Sequence, residues 1–258
     1  MKSGAAPLWP YTLAGALIFL GAWQATAGLG LVSELVLPSP LAVLERSWQM
    51  LNRPFAGFLL HEHLLSSFLR FLYGFALAAV IGVPLGLVMG RYRLLEEIVT
   101  PLFEGYRYVA PLAWVPFAAL WFGTGIGGPI LVIFTGAFAP CVVNAYRGSR
   151  LVDTHLIEAA KTHGASEFRI LKEILLPGAL PSIVAGLRIS AGLAWQSLIG
   201  AELIVVSSGI GYVMVQGQSN LSPATVMSGM LVIGLVGLTI DWVLRAAERR
   251  ISAKWGAA

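Results

Sequence analysis

The amino-acid sequence predicts an all-α integral membrane protein, and two observations support this class. Of its 258 residues, 57% are hydrophobic and only 12% are charged, whereas a soluble domain has about 25% charged residues. The charged residues also leave four long gaps, at 3–33, 71–90, 108–146 and 203–240. An uncharged apolar run of about 18 residues or more is long enough to cross a bilayer as a helix. Most of the surface is therefore expected to face lipid.

The two longest gaps are each too long for a single span. Each contains a stretch rich in Gly, Ser and Pro, at 123–129 and 207–223. Because such stretches are typical of turns, we divide both gaps there. A short amphipathic segment, 39–51, separates the first two spans. The prediction is about six spanning helices, at 10–32, 64–90, 95–122, 129–147, 183–206 and 224–244.

Prolines and glycines within the spans predict local features of the helices. Five prolines are expected to interrupt helices at membrane depth and to free carbonyl groups that can line a cavity; they are Pro84, Pro101, Pro111, Pro116 and Pro140. Gly82, Gly86 and Gly90 form a stripe of small residues that lets helices pack closely. We expect this packing within one subunit, with packing between two subunits as the alternative.

The distribution of Lys and Arg predicts that both ends of the chain face the cytoplasm, because cytoplasmic loops carry the excess of these residues. With the N-terminus inside, only Arg46 and Arg53 lie in outside segments. The inside segments hold twelve, namely Lys2, Arg91, Arg93, Arg147, Arg150, Lys161, Arg169, Lys172, Arg245, Arg249, Arg250 and Lys254. This bias accounts for the net charge of +4, so no nucleic-acid partner is predicted. A signal peptide cleaved near 25–27 is an alternative for the first apolar run, which we expect to be retained.

The longest polar stretch, EAAKTHGASEFRILKEILLP at 158–177, lies in a loop at about 148–182. Asp153 or Thr154 is expected to cap a short helix that Gly164 ends in a left-handed turn. Ser166 is expected to cap a second helix, which Pro177 stops. The second helix is predicted to pack beneath the membrane domain through an apolar stripe, formed by Phe168, Leu171, Ile174 and Leu175. The first helix then presents small and charged side chains to solvent, as a docking element for another protein.

The spaced pattern of this loop resembles the EAA loop of binding-protein-dependent ABC transporter permeases. The pattern is Glu158-Ala159-Ala160, three residues, Gly164, nine residues, Ile174, one residue, and then Leu176-Pro177. Two further stretches, 106–125 and 176–204, resemble the taurine, alkanesulfonate and nitrate branch of that family, and its taurine members most. The resemblance extends over about residues 60 to 250.

The resemblance implies a type I ABC importer transmembrane domain, whose loop forms a coupling helix in a groove of an ATPase subunit. The implied coupling residues are Glu158, Ala159, Ala160, Lys161, His163, Gly164 and Pro177. The implied partners are two cytoplasmic ATP-binding subunits, a second copy of this permease and an external solute-binding protein. ATP and Mg are expected on the ATPase, since this chain has no Gly-x-x-x-x-Gly-Lys-Ser/Thr phosphate loop. No cofactor is expected on the permease itself.

These expectations divide the chain into three parts. Residues 1–60 hold the first transmembrane helix and an external amphipathic segment, 61–250 the permease core with its EAA loop, and 251–258 a cytoplasmic tail. The chain is expected to be a non-catalytic, multi-pass subunit in the bacterial inner membrane. The branch implies a small anionic solute, taurine or another sulfonate first, with nitrate, bicarbonate or a vitamin precursor as alternatives.

Ionisable and aromatic residues within the spans are candidates for the translocation pathway, because charges at membrane depth are commonly functional. Arg107 is expected either to pair with Glu104 or to attract the anion. Glu202 is expected to accept structural hydrogen bonds or to contact solute, and Asp241 to pair with Arg245. The candidate pathway set is Arg107, Trp114, Trp195, Gln196 and Glu202.

Two other classes of function remain as alternatives. A gradient-driven secondary transporter often has an inverted repeat and acidic residues at the membrane midplane, and the sequence shows no repeat and no clear midplane acid. The pair His61 and His63, with Glu62 between them, suggests an intramembrane metalloenzyme. Residues two apart do not share one helix face, so no metal site is predicted.

Overall fold

The computed structural model describes residues 9–30, 32–204 and 206–255. Lys2 and the last three residues of the predicted tail lie outside them. The described residues form eleven α-helices with one 3₁₀ turn and one π-helical turn. The helices are α1 (Trp9–Gly28), α2 (Pro40–Asn52), α3 (Leu60–Arg91), α4 (Arg93–Arg107), α5 (Val115–Phe122), α6 (Gly127–Arg150), α7 (Thr154–Thr162), α8 (Glu167–Ile170), α9 (Leu176–Glu202), α10 (Ile210–Ser219) and α11 (Pro223–Trp255). The 3₁₀ turn is Pro111–Trp114 and the π-helical turn is Leu171–Leu175.

Four helical segments of the described chain are long and apolar enough to cross a membrane: Leu60–Arg91, Gly127–Arg150, Glu167–Glu202 and Pro223–Ile251. They correspond to the predicted second, fourth, fifth and sixth spans. Helix α1 occupies the predicted first span, and the amphipathic segment forms α2, which Ser39 caps by accepting the N–H of Ala42. Pro40 follows at the first helical position, where its missing N–H costs nothing.

The predicted third span, 95–122, is not one helix, and that prediction is wrong. Helix α4 ends at Arg107, the 3₁₀ turn begins at Pro111, and α5 follows it. Ala110 is extended, with φ −58° and ψ 138°, because the ring of a following proline disfavours the helical conformation. A non-helical link therefore separates α4 from the rest of the predicted span.

Most of the other prolines do not break their helices, contrary to the sequence expectation. Pro84, Pro101 and Pro140 lie inside continuous helices. Pro177 does not stop a helix either, since α8, the π-helical turn and α9 form one continuous segment. The π-helical turn widens the backbone just before Pro177, with the Leu176 N–H donating to the Leu171 carbonyl. A local π-helical turn is a known way to accommodate irregularity within a helix.

The second predicted turn, 207–223, is also more ordered than expected, because it contains the ten-residue helix α10. Ile210 and Val213 of α10 are buried with Met50 of α2 and Leu60 of α3 in one apolar cluster. Glycine and serine at its flanks suggested a loop. The apolar residues between them form a helix because this cluster buries them.

The centre of the fold is the packing of α6 between α3 and α9. Phe71 of α3, Ile133 and Ala137 of α6, and Trp195 of α9 belong to one buried cluster. The Trp195 N–H reaches the Ile233 carbonyl of α11 at 3.1 Å, which attaches the last helix.

The glycine stripe makes the contact between α3 and α6 within one chain, as expected. A Cβ on Gly82 would lie 2.8 Å from the Cys141 Cβ, and one on Gly86 would lie 2.3 Å from the Val142 carbonyl oxygen. A Cβ on Gly90 would meet the Ser149 side chain. The two backbones are therefore too close for any side chain at these three positions.

We predict that Gly86→Val lowers the stability of the purified protein. The added side chain meets backbone atoms that cannot rotate away, and overpacking of this kind costs about 1–3 kcal/mol or more. The apparent melting temperature in detergent should fall by several degrees. Gly234→Ala is the matched control, because a Cβ there has nothing within 4 Å. Equal melting temperatures for the two variants would contradict the packing described above.

Candidate functional site

The first helix of the polar loop is α7, and hydrogen bonds cap it at both ends. Asp153 accepts the N–H of His155 at 2.9 Å and so caps the start. At the other end Gly164 has φ +75°. The Gly164 N–H donates to the Lys161 carbonyl at 2.9 Å and the Ala165 N–H to the Ala160 carbonyl at 3.0 Å. These two bonds form a Schellman motif, in which glycine is favoured because its left-handed conformation costs other residues free energy.

Helix α7 presents its predicted coupling residues to the exterior. Glu158, Ala159, Lys161 and His163 are exposed, while Ala160 is half-buried. Among the described residues, the Glu158 carboxylate has one ionisable partner, the His155 ring at 3.9 Å. The exposed surface therefore combines small residues with charged ones, of which Lys161 pairs with Glu167.

The apolar stripe predicted for the second helix is only partly correct. Leu175 is buried, but Phe168 is 74% exposed. Ile170, which the stripe omitted, is 1% exposed and takes the inner position. The π-helical turn follows Ile170, and the two buried residues, Ile170 and Leu175, are five positions apart, which is the spacing of a π-helix. Phe168 joins Leu151 and Leu156 as large apolar side chains exposed on this loop.

Glu167 connects the loop to the corner between α3 and α4. Its carboxylate lies 3.0 Å from the Arg91 guanidinium, 3.3 Å from the Tyr92 hydroxyl and 3.3 Å from the Lys161 ammonium. Desolvation of the Tyr92 hydroxyl, followed by the effect of the Glu167 carboxylate, raises its pKa. The carboxylate thus holds α7 and the α3–α4 corner together, a link that the sequence did not predict.

Arg107 lines a cavity between α4 and α6 that has both polar and apolar walls. The cavity has a volume of about 370 Å³. Arg107 also forms the expected ion pair with Glu104, at 3.0 Å. The polar residues of the lining come from both helices, and they are Tyr106, Arg107, Thr135, Asn144 and Arg147. Of these, sequence analysis singled out only Arg107 for the pathway; it had counted Arg147 among the loop charges.

The structure does not bring the five candidate pathway residues together. Trp114 lies near the Arg107 cavity, since its ring contacts that of Tyr106 with 6.0 Å between centroids. Trp195 and Gln196 line a different, smaller cavity between α9 and α11, together with Arg188 and Asp241. Asp241 pairs with Arg245 at 2.8 Å as expected, and also with Arg188 at 2.7 Å, which was not foreseen.

Glu202 lies in a buried network rather than in either of these cavities. The residue is 1% exposed, and its carboxylate accepts hydrogen bonds from Arg70 at 2.8 Å, Ser67 at 2.8 Å and the Gly211 N–H at 3.0 Å. Arg70 also donates to the Ser208 carbonyl at 2.8 Å. The contacts satisfy both carboxylate oxygens, so the geometry favours the structural role of Glu202 over contact with solute.

The same network extends to His63 and explains the HEH sequence. His63 Nδ1 accepts the Gly209 N–H at 3.1 Å, and Nε2 lies 3.0 Å from the Phe55 carbonyl oxygen, to which it donates. Both ring nitrogens are therefore committed to the backbone. His63 fixes the segment before α10 instead of serving as a metal ligand.

We predict that Arg70→Ala strongly destabilises the protein, because it leaves the Glu202 carboxylate buried without its counter-charge. Breaking a buried ion pair by removing one partner costs about 3–5 kcal/mol. Arg93→Ala is the control, since Arg93 forms an exposed pair with Glu97 at 2.9 Å, and such pairs contribute about 0.3–0.5 kcal/mol. The measurement is the melting temperature of both variants. A similar small loss in each would show that Glu202 does not depend on Arg70.

The sequence of the chain is similar to those of known membrane transport proteins. The family model for the binding-protein-dependent transport system inner membrane component matches residues 82–253. The taurine transport system permease protein TauC of Escherichia coli is 36% identical over 91% of this chain and 86% of its own. The putative aliphatic sulfonates transport permease protein SsuC of Bacillus subtilis is 35% identical, over 92% and 84%. The bicarbonate transport system permease protein CmpB of Synechococcus elongatus is 34% identical, over 90% and 88%.

Solved structures support the same fold. A structure of the MetNI methionine ABC transporter in an inward-facing conformation superposes with a TM-score of 0.60 and 19% identity. The match covers 85% of this chain and 99% of that one. The fold is that of the transmembrane domain of a type I ABC importer. The chain belongs to the family of binding-protein-dependent transport system inner membrane components, as a multi-pass, non-catalytic permease subunit.

Proposed function

We propose that this permease subunit carries a small anionic solute into the cell, driven by ATP hydrolysis on a separate subunit. The observation that carries the proposal is helix α7, an exposed helix with a fixed cap at each end. A helix that is capped at both ends and leaves most of its residues exposed is suited to transmit motion from a partner. Its sequence has the spacing of the EAA loop, so the partner is an ATPase subunit.

The orientation follows from charge. In the topology predicted from the sequence, the side that carries α7 holds twelve Lys and Arg residues and the other side holds two, and such an excess marks the cytoplasmic side. Both termini are then cytoplasmic. The end of the bundle that contains the Arg70–Glu202 ion pair then faces outward. An external solute-binding protein delivers the solute to that outer face.

The proposed assembly contains two copies of this permease and two ATP-binding subunits, which hold ATP and Mg. Glu158, Ala159 and Ala160 contact the ATPase groove, while Lys161 and His163 lie beside them on the exposed helix. Gly164 fixes the end of the helix, and Pro177 follows in the segment that leads back into the membrane. Closure of the ATPases brings the two loops together and converts the paired bundles from inward-open to outward-open.

The solute class rests on the relatives and on Arg107. The names of the relatives given above specify taurine, aliphatic sulfonates and bicarbonate, and each of these solutes bears an anionic group. The cavity beside Arg107 offers a cation between two helices of a membrane protein, where ionisable groups are commonly functional. Taurine or another sulfonate is our first candidate, and nitrate, bicarbonate and a vitamin precursor are the alternatives.

We predict that Glu158→Ala and Gly164→Val uncouple ATP hydrolysis from uptake. The first removes a charge from the docking surface, and the second strains the left-handed residue that ends α7. The measurement is solute uptake and ATPase activity of the reconstituted complex, with co-purification of the ATPase as a further readout. Both variants should lose uptake and recover less ATPase subunit.

Matched controls separate docking from folding. Glu173→Ala removes another exposed acid of the same loop, which pairs with Arg169 of the same helical segment. Gly30→Val strains another glycine with positive φ, +69°, that has nothing within 4 Å. Both controls should retain uptake. Normal uptake in the Glu158 and Gly164 variants, or a chain that moves solute down a gradient without any ATPase, would favour a secondary carrier.

We also predict that Arg107→Ala abolishes uptake while the complex still assembles. The variant removes a cation from the cavity, and the Glu104 partner that remains is 43% exposed and accessible to water. Size-exclusion chromatography with the ATPase subunit checks assembly, and uptake of labelled taurine or ethanesulfonate checks transport. Failure to assemble would show that the pair with Glu104 is structural.

A further inference from the structure

A second arginine, Arg147, lines the same cavity as Arg107. The cavity of about 370 Å³ has a smaller neighbour of about 200 Å³ on the other side of these side chains. Arg107, Val143 and Arg147 line both cavities. The two guanidinium groups, one from α4 and one from α6, therefore form part of the wall between them.

The charge balance at this place is positive. Arg107 has one carboxylate partner, Glu104. Among the described residues, the Arg147 side chain has no ion pair and no hydrogen bond, whereas Arg150, one turn further along α6, binds Glu96. The residues that line the larger cavity include no carboxylate. The smaller cavity is lined by Glu104 and Glu96, and Glu96 pairs with Arg150. The three guanidinium groups of Arg107, Arg147 and Arg150 against these two carboxylates leave about one net positive charge, which matches a monoanion.

The remaining lining of the larger cavity is uncharged and includes polar groups among apolar side chains. Asn144 lies one turn before Arg147, and its amide donates to the Pro140 carbonyl at 2.9 Å. Pro140 has no N–H, so the Gly136 carbonyl, in the same lining, lacks its usual helical donor. The Tyr106 hydroxyl donates to the Thr135 carbonyl at 3.3 Å. These groups offer polar contacts to a solute, while the charge comes from the two arginines alone.

We propose that Arg147 is the second cationic contact for the transported anion and forms a two-arginine site with Arg107. The inference rests on the proposed function and specifies its recognition chemistry. A guanidinium group presents a planar fork of N–H donors that matches two oxygens of an oxyanion. Two such forks fit a sulfonate, with its three equivalent oxygens. Because the larger cavity has no carboxylate to receive an ammonium group, the site recognises the anionic end of the solute and is tolerant of the other end.

The test uses the complete complex of permease, ATPase and binding protein in proteoliposomes, with labelled taurine and ethanesulfonate. Arg147→Gln should lower the initial uptake rate of both by about tenfold or more, the effect of losing hydrogen bonds to a charged group. ATPase stimulation by the loaded binding protein and assembly should persist. Arg147→Lys should be intermediate, because lysine keeps the charge but loses the fork. Arg93→Gln removes an exposed arginine of α4 that pairs with Glu97; it is the control and should transport normally.

A charge-restoring variant keeps the test valid if Arg147→Gln assembles poorly. Arg147→Cys should regain uptake after treatment with a cationic methanethiosulfonate reagent and not after treatment with a neutral one. The native Cys141 is buried and does not interfere. Wild-type uptake by Arg147→Gln, or equal recovery with both reagents, overturns the two-arginine site. A wild-type complex that moves none of taurine, ethanesulfonate, nitrate and bicarbonate overturns the proposed function instead.

Discussion

The close approach of α3 and α6 is the contact on which the rest of the fold depends. In a bilayer the lipid is as apolar as a leucine side chain, so helices are held by close packing and hydrogen bonds rather than by the hydrophobic effect. Gly82, Gly86 and Gly90 allow the two backbones to meet with no side chain between them. The same helix α6 packs on α9 and carries Arg147 and Asn144 on the cavity lining. Its position therefore sets both the core and the candidate pathway.

At one end of the bundle, the buried charges of Arg70 and Glu202 have a structural role. Glu202 gathers Arg70, Ser67 and the backbone of Gly211 into one network, and His63 adds the backbone of Gly209. An isolated charge in this setting would be costly. The network satisfies the charge and, in doing so, holds the segment between α9 and α10 against α3. Solute contact would require breaking bonds that order this end of the molecule.

At the other end, the helices that line the Arg107 cavity adjoin the loop that contains α7. Helix α6 ends at Arg150, just before the loop, and α4 begins at Arg93, just after the residues that hold Glu167. Glu96 of α4 accepts hydrogen bonds from Tyr146 and Arg150 of α6. The two helices that supply Arg107 and Arg147 are thus joined to each other and, through Arg91 and Glu167, to α7. In the proposed mechanism, movement of α7 displaces the helices that line the anion cavity.

The sequence by itself determined the class of the protein, most of its spans and the form of α7. Long uncharged runs have no other stable location than lipid, and Asp153 and Gly164 act on their nearest neighbours, so local chemistry was sufficient. The tertiary structure decided what depends on neighbours distant in the chain. Glu202 pairs with Arg70, which is 132 residues away in the sequence, so its structural role could not be predicted from its neighbours in the chain. The helix continues past Pro177 through a π-helical turn, which the sequence also did not predict. Arg147 and Arg107 line the same cavity. Their proximity follows from the way α4 lies against α6, which the sequence alone does not give.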